Sequence, residues 1–201
     1  MADHSAREEA IVTAAIDLAA TNGVAGVTTA ALARRLEFTE AALYRYFPGK
    51  SAIMAAALRQ QSERLFATML LELMPDAVQH GQGSRAQLER HLQRFVSHKG
   101  LLLELLLSAA GGRDEVLQGV GGEVLQGYSE RISEYFAQLQ SLALIDRFPE
   151  ASELSRLWVC QLFGGFVRCR LTREVWDPVH QPGFQAFAAY LRPPGEAAVH
   201  S

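Results

Sequence analysis

The sequence predicts an all-α protein of about nine helices, in which a three-helix N-terminal unit precedes a larger helical bundle. Three observations support this class: alanine is abundant, runs of β-branched residues are short, and no stretch alternates apolar and polar residues long enough for a strand. With 201 residues, 49% of them hydrophobic and 20% charged, the chain has the ordinary balance of a globular protein.

The first three helices are predicted from local signals. Residues 5–21 place their apolar side chains on one face, and an Asn-Gly pair follows as a helix terminator. Thr28 is predicted to cap a second helix that ends at Leu36, and Thr39 to cap a very short third one. The third helix must end before Pro48, because the residue that precedes a proline is pushed out of helical geometry.

The remaining helices are predicted wherever the apolar period resumes. A fourth helix begins near Lys50, and a Gly- and Gln-rich loop follows at about residues 74–84. Further helices are predicted at about residues 84–98, 101–110, 113–142, 152–172 and 184–191. The 113–142 helix has the least intrinsic stability, because it contains four glycines and each costs about 1 kcal/mol relative to alanine.

Residues 28–50 carry the pattern of a helix-turn-helix, two short helices joined by a tight turn at Glu37-Phe38. Leu43 and Phe47, four residues apart, face the same way and are predicted to anchor the third helix. The side chains left on its outer surface are Glu40, Ala41, Tyr44 and Arg45, with Tyr46 toward one flank. Small residues at the helix start allow a close approach, so this helix is predicted to enter the major groove of duplex DNA.

The overall charge gives no sign of nucleic-acid binding, since the formal net charge is -3 at pH 7. DNA binding needs only a local basic surface, however. Within residues 28–50 the basic residues outnumber the acidic ones, with Arg34, Arg35, Arg45 and Lys50 against Glu37 and Glu40. The helix starts near Thr28, Thr39 and Lys50 add backbone N–H groups and partial positive charge, which suit phosphates.

The same segment resembles the TetR family of transcriptional regulators. The family motif, a capped helix and a turn followed by Leu-Tyr-x-x-Phe-x-x-Lys, corresponds here to Leu43, Tyr44, Phe47 and Lys50. The resemblance is specific over about residues 7–60, and beyond them it rests on helix number and length. It implies a DNA-binding domain at residues 1–50 and a helical ligand-binding and dimerisation domain at 51–195. Residues 196–201 are predicted to be a disordered tail.

The resemblance also implies roles for individual residues. Phosphate contacts fall on Thr28, Thr29, Thr39, Tyr44, Tyr46 and Lys50, and approach to base edges falls on Glu40, Ala41 and Ala42. This chain departs from the family where Glu37 replaces a frequent turn glycine and Ala31 a frequent acidic residue. Glu40 at the start of the recognition helix has two interpretations, since it can accept from a cytosine amino group or favour the helix dipole.

A homodimer is predicted, because one short recognition helix reads only a few base pairs. The candidate contact is residues 154–171 with 184–191, which are apolar on several faces, and the two glycines at 164–165 allow a close approach. The predicted interface residues are Leu162, Gly164, Gly165, Phe166, Phe184 and Phe187. The alternative is that residues 154–171 form the central core helix of a monomer.

A ligand cavity among the middle helices is implied by the resemblance. Its predicted walls are Phe95, Leu102, Leu106, Tyr128, Trp158 and Phe163. Because few fixed polar groups accompany these side chains, the ligand is expected to be small and mostly apolar. Large side chains at helical spacing are also what an ordinary core contains, and that alternative stays open.

Other classes of function find no support in the sequence. There is no Gly-rich phosphate loop, zinc-type Cys pair or nucleophile elbow, so neither an enzyme nor a cofactor is predicted. His91 and His98 lie about 10 Å apart along one helix, too far to share a metal, and are expected on the surface. Cys160 and Cys169 are predicted to be buried, reduced thiols on opposite faces of one helix.

The sequence also predicts a cytoplasmic protein with no membrane partner. The N-terminus lacks the apolar core of a signal peptide. The longest apolar run, residues 101–110, is interrupted by Glu104 and is shorter than the roughly 20 residues that a bilayer requires.

Three functions remain open. The first is a ligand-responsive repressor that binds a palindromic operator. The second is a nucleoid-occlusion protein, since residues 39–50 are also similar to the SlmA-like branch of the same family, with a fainter echo at residues 160–167. That branch binds many chromosomal sites and antagonises a cell-division polymer. The third is a helical enzyme or carrier with a vestigial DNA-binding head.

Overall fold

The structure, a computed structural model, describes residues 2–73, 84–97 and 100–191. Within these ranges the chain forms helices, turns and irregular segments but no strand, which confirms the predicted all-α class. The α-helices are α1 (Ala2–Asn22), α2 (Thr29–Leu36), α3 (Glu40–Leu43), α4 (Lys50–Glu72), α5 (Ser84–Ser97), α6 (Leu101–Gly111), α7 (Glu115–Ser141), α8 (Ala151–Thr172) and α9 (Pro182–Phe187). Two short 3-10 helices cover Val24–Gly26 and Ala188–Leu191.

Most predicted helices agree with these bounds to within a few residues, and two differ. The third is predicted to continue to the residue before Pro48, whereas α3 ends at Leu43 and a turn covers residues 44–46. The last helix differs as well. The sequence predicts a single helix over 184–191, whereas α9 begins at Pro182 and ends at Phe187, and a 3-10 helix follows. Proline fits the first turn of a helix because the N–H that it lacks has no partner there. Most of the predicted 74–84 loop and the whole 196–201 tail lie outside the described residues.

The helices pack into two compact units. Unit 1 comprises Met1–Leu65 and His98–Leu125, and unit 2 comprises Phe66–Ser97 and Gln126–Ser201. The boundary predicted between residues 50 and 51 falls in the first turn of α4. The fully buried side chains of unit 1 include Ile11, Leu32, Leu43, Ile53 and Leu58.

The glycine-containing helix α7 forms despite its weak propensity. At its start the Leu117 N–H donates to Asp114 Oδ1 over 2.9 Å, which caps the first turn. Within unit 1, a Cβ built on Gly121 would lie 2.9 Å from the Cβ of Ala109 on α6. Glycine at this position therefore allows the two helices to approach closely, and their packing offsets the cost of a flexible residue.

Unit 2 has an aromatic core with a polar group inside it. Trp158, Phe166 and Phe184 are all at most 2% exposed. The Trp158 indole N–H donates to the Tyr128 hydroxyl over 2.7 Å, and that hydroxyl lies 3.0 Å from Nε2 of His91. The indole ring therefore forms part of a buried hydrogen-bonded chain that runs through the core.

The prediction that His91 lies on the surface is wrong, since its side chain is fully buried. Burial, with a smaller contribution from the charge of Arg94, lowers the pKa of His91 from 6.5 to about 3, so the ring is neutral at neutral pH. Burial also raises the pKa of Tyr128, which keeps its hydroxyl protonated. His98, expected at the surface with it, lies outside the described residues.

Both cysteines are free thiols, as predicted, but only Cys169 is buried. The expectation that Cys160 is buried is wrong, because its position on α8 faces outward. Among the helices of the described ranges, none combines the length and apolar character needed to cross a membrane.

Candidate nucleic-acid interface

Helix α2 starts with the predicted cap. Thr28 has an extended backbone, and its hydroxyl oxygen accepts from the Ala31 N–H over 3.1 Å. Such a cap contributes about 1 kcal/mol to helix stability. One turn on, Leu32 and Ala33 are buried and attach α2 to unit 1.

The turn after α2 is built without glycine. Glu37 adopts the left-handed conformation, with φ 56° and ψ 36°, that a glycine would take more readily. This conformation costs a non-glycine residue roughly 1–2 kcal/mol. The Phe38 N–H donates to the Ala33 carbonyl over 2.8 Å, so the helix ends on a satisfied carbonyl and the chain turns directly into α3.

Helix α3, the recognition helix, is a single turn held from both ends. The Thr39 hydroxyl oxygen accepts from the Ala42 N–H over 3.1 Å, as predicted. Leu43 is 1% exposed and anchors the helix in unit 1. Outward from this anchor, Tyr44 is 55% exposed, and Glu40, Ala41 and Arg45 are exposed too. Ala42, Tyr46 and Phe47 are half-buried, so the predicted orientation of the helix is confirmed.

The threonine hydroxyls at the two caps keep a hydrogen to donate. Each accepts one backbone N–H through its oxygen, and a hydroxyl carries both acceptor lone pairs and one O–H. Thr28 and Thr39 are exposed, as is Lys50 at the first residue of α4. These groups can therefore donate to phosphate oxygens without giving up the caps.

The basic surface is smaller than the sequence predicts. Arg35 reaches Asp17 of α1, with a side-chain N–O distance of 2.8 Å, so part of its charge is compensated. Arg34, Arg45 and Lys50 are exposed and remain as its cationic members. Asp17 could not be recognised as a partner from the sequence, because it lies 18 residues before Arg35.

Thr29 and Glu40 contact each other. The Thr29 hydroxyl donates to Oε2 of Glu40 over 2.6 Å, which joins the first residue of α2 to the first residue of α3. Thr29 is half-buried and Glu40 is exposed. The family resemblance implies that the Thr29 hydroxyl donates to a phosphate, whereas in this structure it donates to a carboxylate.

The start of α1 contacts residues on either side of α3 and adds side chains that the sequence does not single out. The imidazole of His4 lies 4.8 Å from the Tyr46 ring, between centroids, and its Nε2 lies 3.3 Å from a Glu8 carboxylate oxygen. The Arg7 guanidinium lies 6.0 Å from the centroid of the Phe38 ring. Their spacing of three and four residues along α1 was the available signal, since it places them on one face.

The predicted ligand residues are divided between the two units. Leu102 and Leu106 belong to unit 1, whereas Tyr128, Trp158 and Phe163 belong to unit 2, and the Phe95 side chain lies outside the described part. In unit 2 a cavity of about 740 Å³ opens between α8 and α9. It is lined by Leu157, Gln161, Gly164, Gly165, Arg168, Gln181, Pro182, Gly183, Ala186 and Phe187, and by none of the predicted walls.

The predicted dimer residues divide into two groups. Leu162, Phe166, Phe184 and Phe187 are at most 5% exposed within this chain, because they pack into its own aromatic core. Their side chains therefore have little surface to offer a partner. Gly164 is exposed and Gly165 half-buried. Leu157 is 47% exposed and lines the same cavity, so it extends this outward face of α8.

Two capped helices, α2 and α3, are joined by a tight turn, and a buried leucine anchors α3 while its other face is exposed. This arrangement defines a helix-turn-helix protein. Residues 11–57 match the family described as bacterial regulatory proteins, tetR family. The chain belongs to the TetR family of regulators.

One curated relative and two solved structures illustrate the similarity. The chain is 30% identical over 139 residues to the nucleoid occlusion factor SlmA of Marinobacter nauticus, an alignment that spans 67% of this chain and 63% of that protein. Reduced NemR of E. coli aligns with a TM-score of 0.76 at 14% identity, over 94% of this chain and 98% of that one. The complex of SmeT with triclosan aligns with a TM-score of 0.71 at 17% identity, over 96% and 95% of the chains.

Proposed function

We infer that this protein is a homodimeric repressor that binds a palindromic operator and releases it when a small, mostly apolar molecule binds. The observation that carries the DNA-binding part is the exposure of Ala41, Tyr44 and Arg45 on a helix that Leu43 anchors. These side chains neither pack against the chain nor cap a helix, so they are available to contact DNA. A regulator of this kind has no catalytic step, and we expect no enzymatic activity.

Binding combines positioning contacts with base contacts. The hydroxyls of Thr28 and Thr39, the phenol groups of Tyr44 and Tyr46, and the Lys50 ammonium donate to phosphates and fix the register on the duplex. Ala41 and Ala42 have only methyl groups, so the backbone of α3 can approach base edges and a thymine methyl closely. Because several phosphate contacts are made, the affinity for DNA should fall steeply as the salt concentration rises.

The proposed dimer contact is the outward face of α8, around Gly164 and Leu157. Leu157 is 47% exposed and offers apolar area, and a Cβ added at Gly164 would meet nothing within 4 Å, which leaves room for a close approach. A two-fold contact there is isologous, and it matches the two-fold symmetry of a palindrome.

The ligand part of the proposal is supported by the shared fold. SmeT, which has the same fold, was solved with triclosan bound. In this chain Tyr128, His91 and Trp158 form a neutral hydrogen-bonded chain inside unit 2. A neutral ligand suits such an interior, because a buried charge without a counter-charge is costly. The wall residues remain those predicted from the sequence.

A second candidate is a nucleoid-occlusion protein, and the observation that favours it is the 30% identity to SlmA. In that case DNA is the effector and a protein is the target, without an inducer. The two functions differ in the number of chromosomal sites and in whether a division protein binds only in the presence of DNA.

The first experiment is selection of bound duplexes from a random library with the full chain, followed by a salt titration on the winning sequence. A palindromic consensus with strongly salt-dependent affinity supports the dimeric DNA reader. One or a few genomic copies near promoters support the repressor, whereas many dispersed copies support nucleoid occlusion. Failure to enrich any sequence at any salt concentration would overturn both.

A further inference from the structure

The carboxylate of Glu40 is an unexpected group on a surface that meets phosphates. It is exposed at the first residue of the recognition helix, where a negative charge repels the DNA backbone. The side chain is nevertheless fixed, because the Thr29 hydroxyl donates to its Oε2 over 2.6 Å. A bond of this length to a carboxylate is a strong, charge-assisted hydrogen bond.

We propose that Glu40 selects cytosine at one position of each half-site by accepting from its N4 amino group, and that Thr29 positions the carboxylate for this contact instead of binding phosphate. This proposal rests on the proposed DNA-binding function. It gives the two residues a joint role in specificity.

The chemistry of the major groove favours cytosine over the other bases. Cytosine presents the N4 donor, whereas guanine presents the O6 and N7 acceptors and thymine presents O4, all of which repel a carboxylate. Adenine presents an N6 donor, but that donor lies between two acceptors, its own N7 and O4 of the paired thymine. The cytosine amino group has an acceptor on one side only, so it is the best partner for a negative oxygen.

The geometry leaves the carboxylate able to make this contact. Oε2 accepts from Thr29, and each carboxylate oxygen has two lone pairs. Both lone pairs of Oε1 and one of Oε2 can therefore still accept a hydrogen bond. Thr28 and Thr39 use their oxygens to cap α2 and α3, whereas Thr29 lies inside the first turn of α2 and its hydroxyl is directed to Glu40. Threonine is also stiff at χ1, which makes it a firm support for a flexible glutamate.

The same carboxylate also penalises duplexes that lack the cytosine. On a wrong sequence the negative charge faces acceptors or phosphates with no donor to offset the repulsion. Removal of the charge should therefore strengthen binding to unrelated DNA while it weakens the preference among bases. This pair of opposite effects distinguishes a specificity residue from a phosphate ligand.

The test uses the full chain on the selected consensus and on every single-base variant of one half-site, measured by fluorescence anisotropy at fixed salt. We expect the wild type to prefer cytosine at one position by about tenfold over guanine or thymine. Glu40→Ala should abolish the preference at that position alone and bind random-sequence DNA more tightly. Glu40→Gln, which keeps the side-chain size, should reduce the preference for cytosine and bind the guanine variant more tightly than the wild type does.

Thr29 is tested with a matched pair of variants. Thr29→Val has the same shape but cannot donate, and it should reduce the cytosine preference severalfold, whereas Thr29→Ser should keep it. Thermal melting of each variant identifies any folding defect, and Thr29→Ser controls for the half-buried position of Thr29.

Two results would overturn the proposal. One is that the Glu40 variants shift affinity for all duplexes equally and change no base preference. The other is that Thr29→Val weakens binding to every sequence and lowers the salt dependence, as loss of a phosphate contact does. If the wild type itself binds no duplex, the proposed function fails at the first step, and this outcome is distinct from a wild type that binds but is indifferent to cytosine.

Discussion

Replacement of Lys50 by alanine gives a quantitative test of how the protein docks on DNA. Lys50 is exposed at the first residue of α4, directly after the turn that follows the recognition helix. If each subunit of a dimer places one Lys50 ammonium on a phosphate, the variant loses two phosphate contacts. The slope of log K against log salt should then become less steep by about 1.8, since each contact to B-DNA contributes about 0.9.

The same relation sets the size of the loss in affinity. At 0.1 M salt the two lost contacts should weaken binding by about sixtyfold, and the difference should shrink toward zero near 1 M. The loss should be equal for the operator and for unrelated duplexes, because phosphates carry no sequence information. Anisotropy titrations between about 0.05 and 0.3 M salt measure both quantities.

A matched control removes a positive charge from the same helix. The side chain of Arg59, also on α4, lies 3.4 Å from a Glu123 carboxylate oxygen, so its charge is already engaged within unit 1. Arg59→Ala should leave the salt slope unchanged. The docking described for Lys50 is refuted if Lys50→Ala alters which sequence is preferred without weakening affinity, or if both variants change the slope equally.

Three further predictions concern stability and assembly. Gly121→Ala should destabilise the protein by about 1–3 kcal/mol in urea unfolding, because its Cβ would lie 2.9 Å from a neighbouring side chain. Gly122→Ala on the same helix adds a Cβ that meets nothing within 4 Å, so it should stabilise the protein by up to about 1 kcal/mol. Equal effects of the two variants would contradict the close approach of the helices. Because the pKa of His91 falls to about 3 on folding, the unfolded chain binds the proton first as the pH falls. His91 should therefore reduce the free energy of unfolding by up to about 1.4 kcal/mol per pH unit between pH 6.5 and about pH 3. Thermal melts of the wild type and His91→Gln at pH 5 and 7 measure this, and an identical pH dependence in the two proteins would oppose it. Leu157→Glu should convert the proposed dimer to a folded monomer in analytical ultracentrifugation, whereas Leu142→Glu, a similarly exposed leucine elsewhere in unit 2, should leave the dimer intact.

The interface elements that could be predicted from the sequence are those fixed by neighbouring residues. A Thr cap acts on an N–H three residues away, so the starts of α2 and α3 follow from short windows. The end of α3 does not, because the helix stops at Leu43, before the position that Pro48 restricts. The inward direction of Leu43 follows from helical periodicity in the same way. Local chemistry therefore predicts the recognition helix and the side chains that it exposes.

The contacts that the sequence could not predict join distant parts of the chain. His91 is buried because Tyr128, 37 residues later, supplies a hydrogen-bonding partner inside unit 2. Thr29 donates to Glu40 across the turn, 11 residues away, although each residue alone suggests a different role. Burial of Phe166 in the chain's own core likewise depends on packing that a helical period does not specify.

The single-turn length of α3 has a consequence for how DNA preference can diverge. Its order depends on the Thr39 cap and the buried Leu43, whereas the side chains that would meet bases, such as Ala41, contribute almost nothing to packing. Mutations that change the preferred DNA sequence can therefore accumulate without unfolding the protein. Paralogues that recognise new sites are thus accessible by single steps, and each intermediate remains a folded protein on which selection can act.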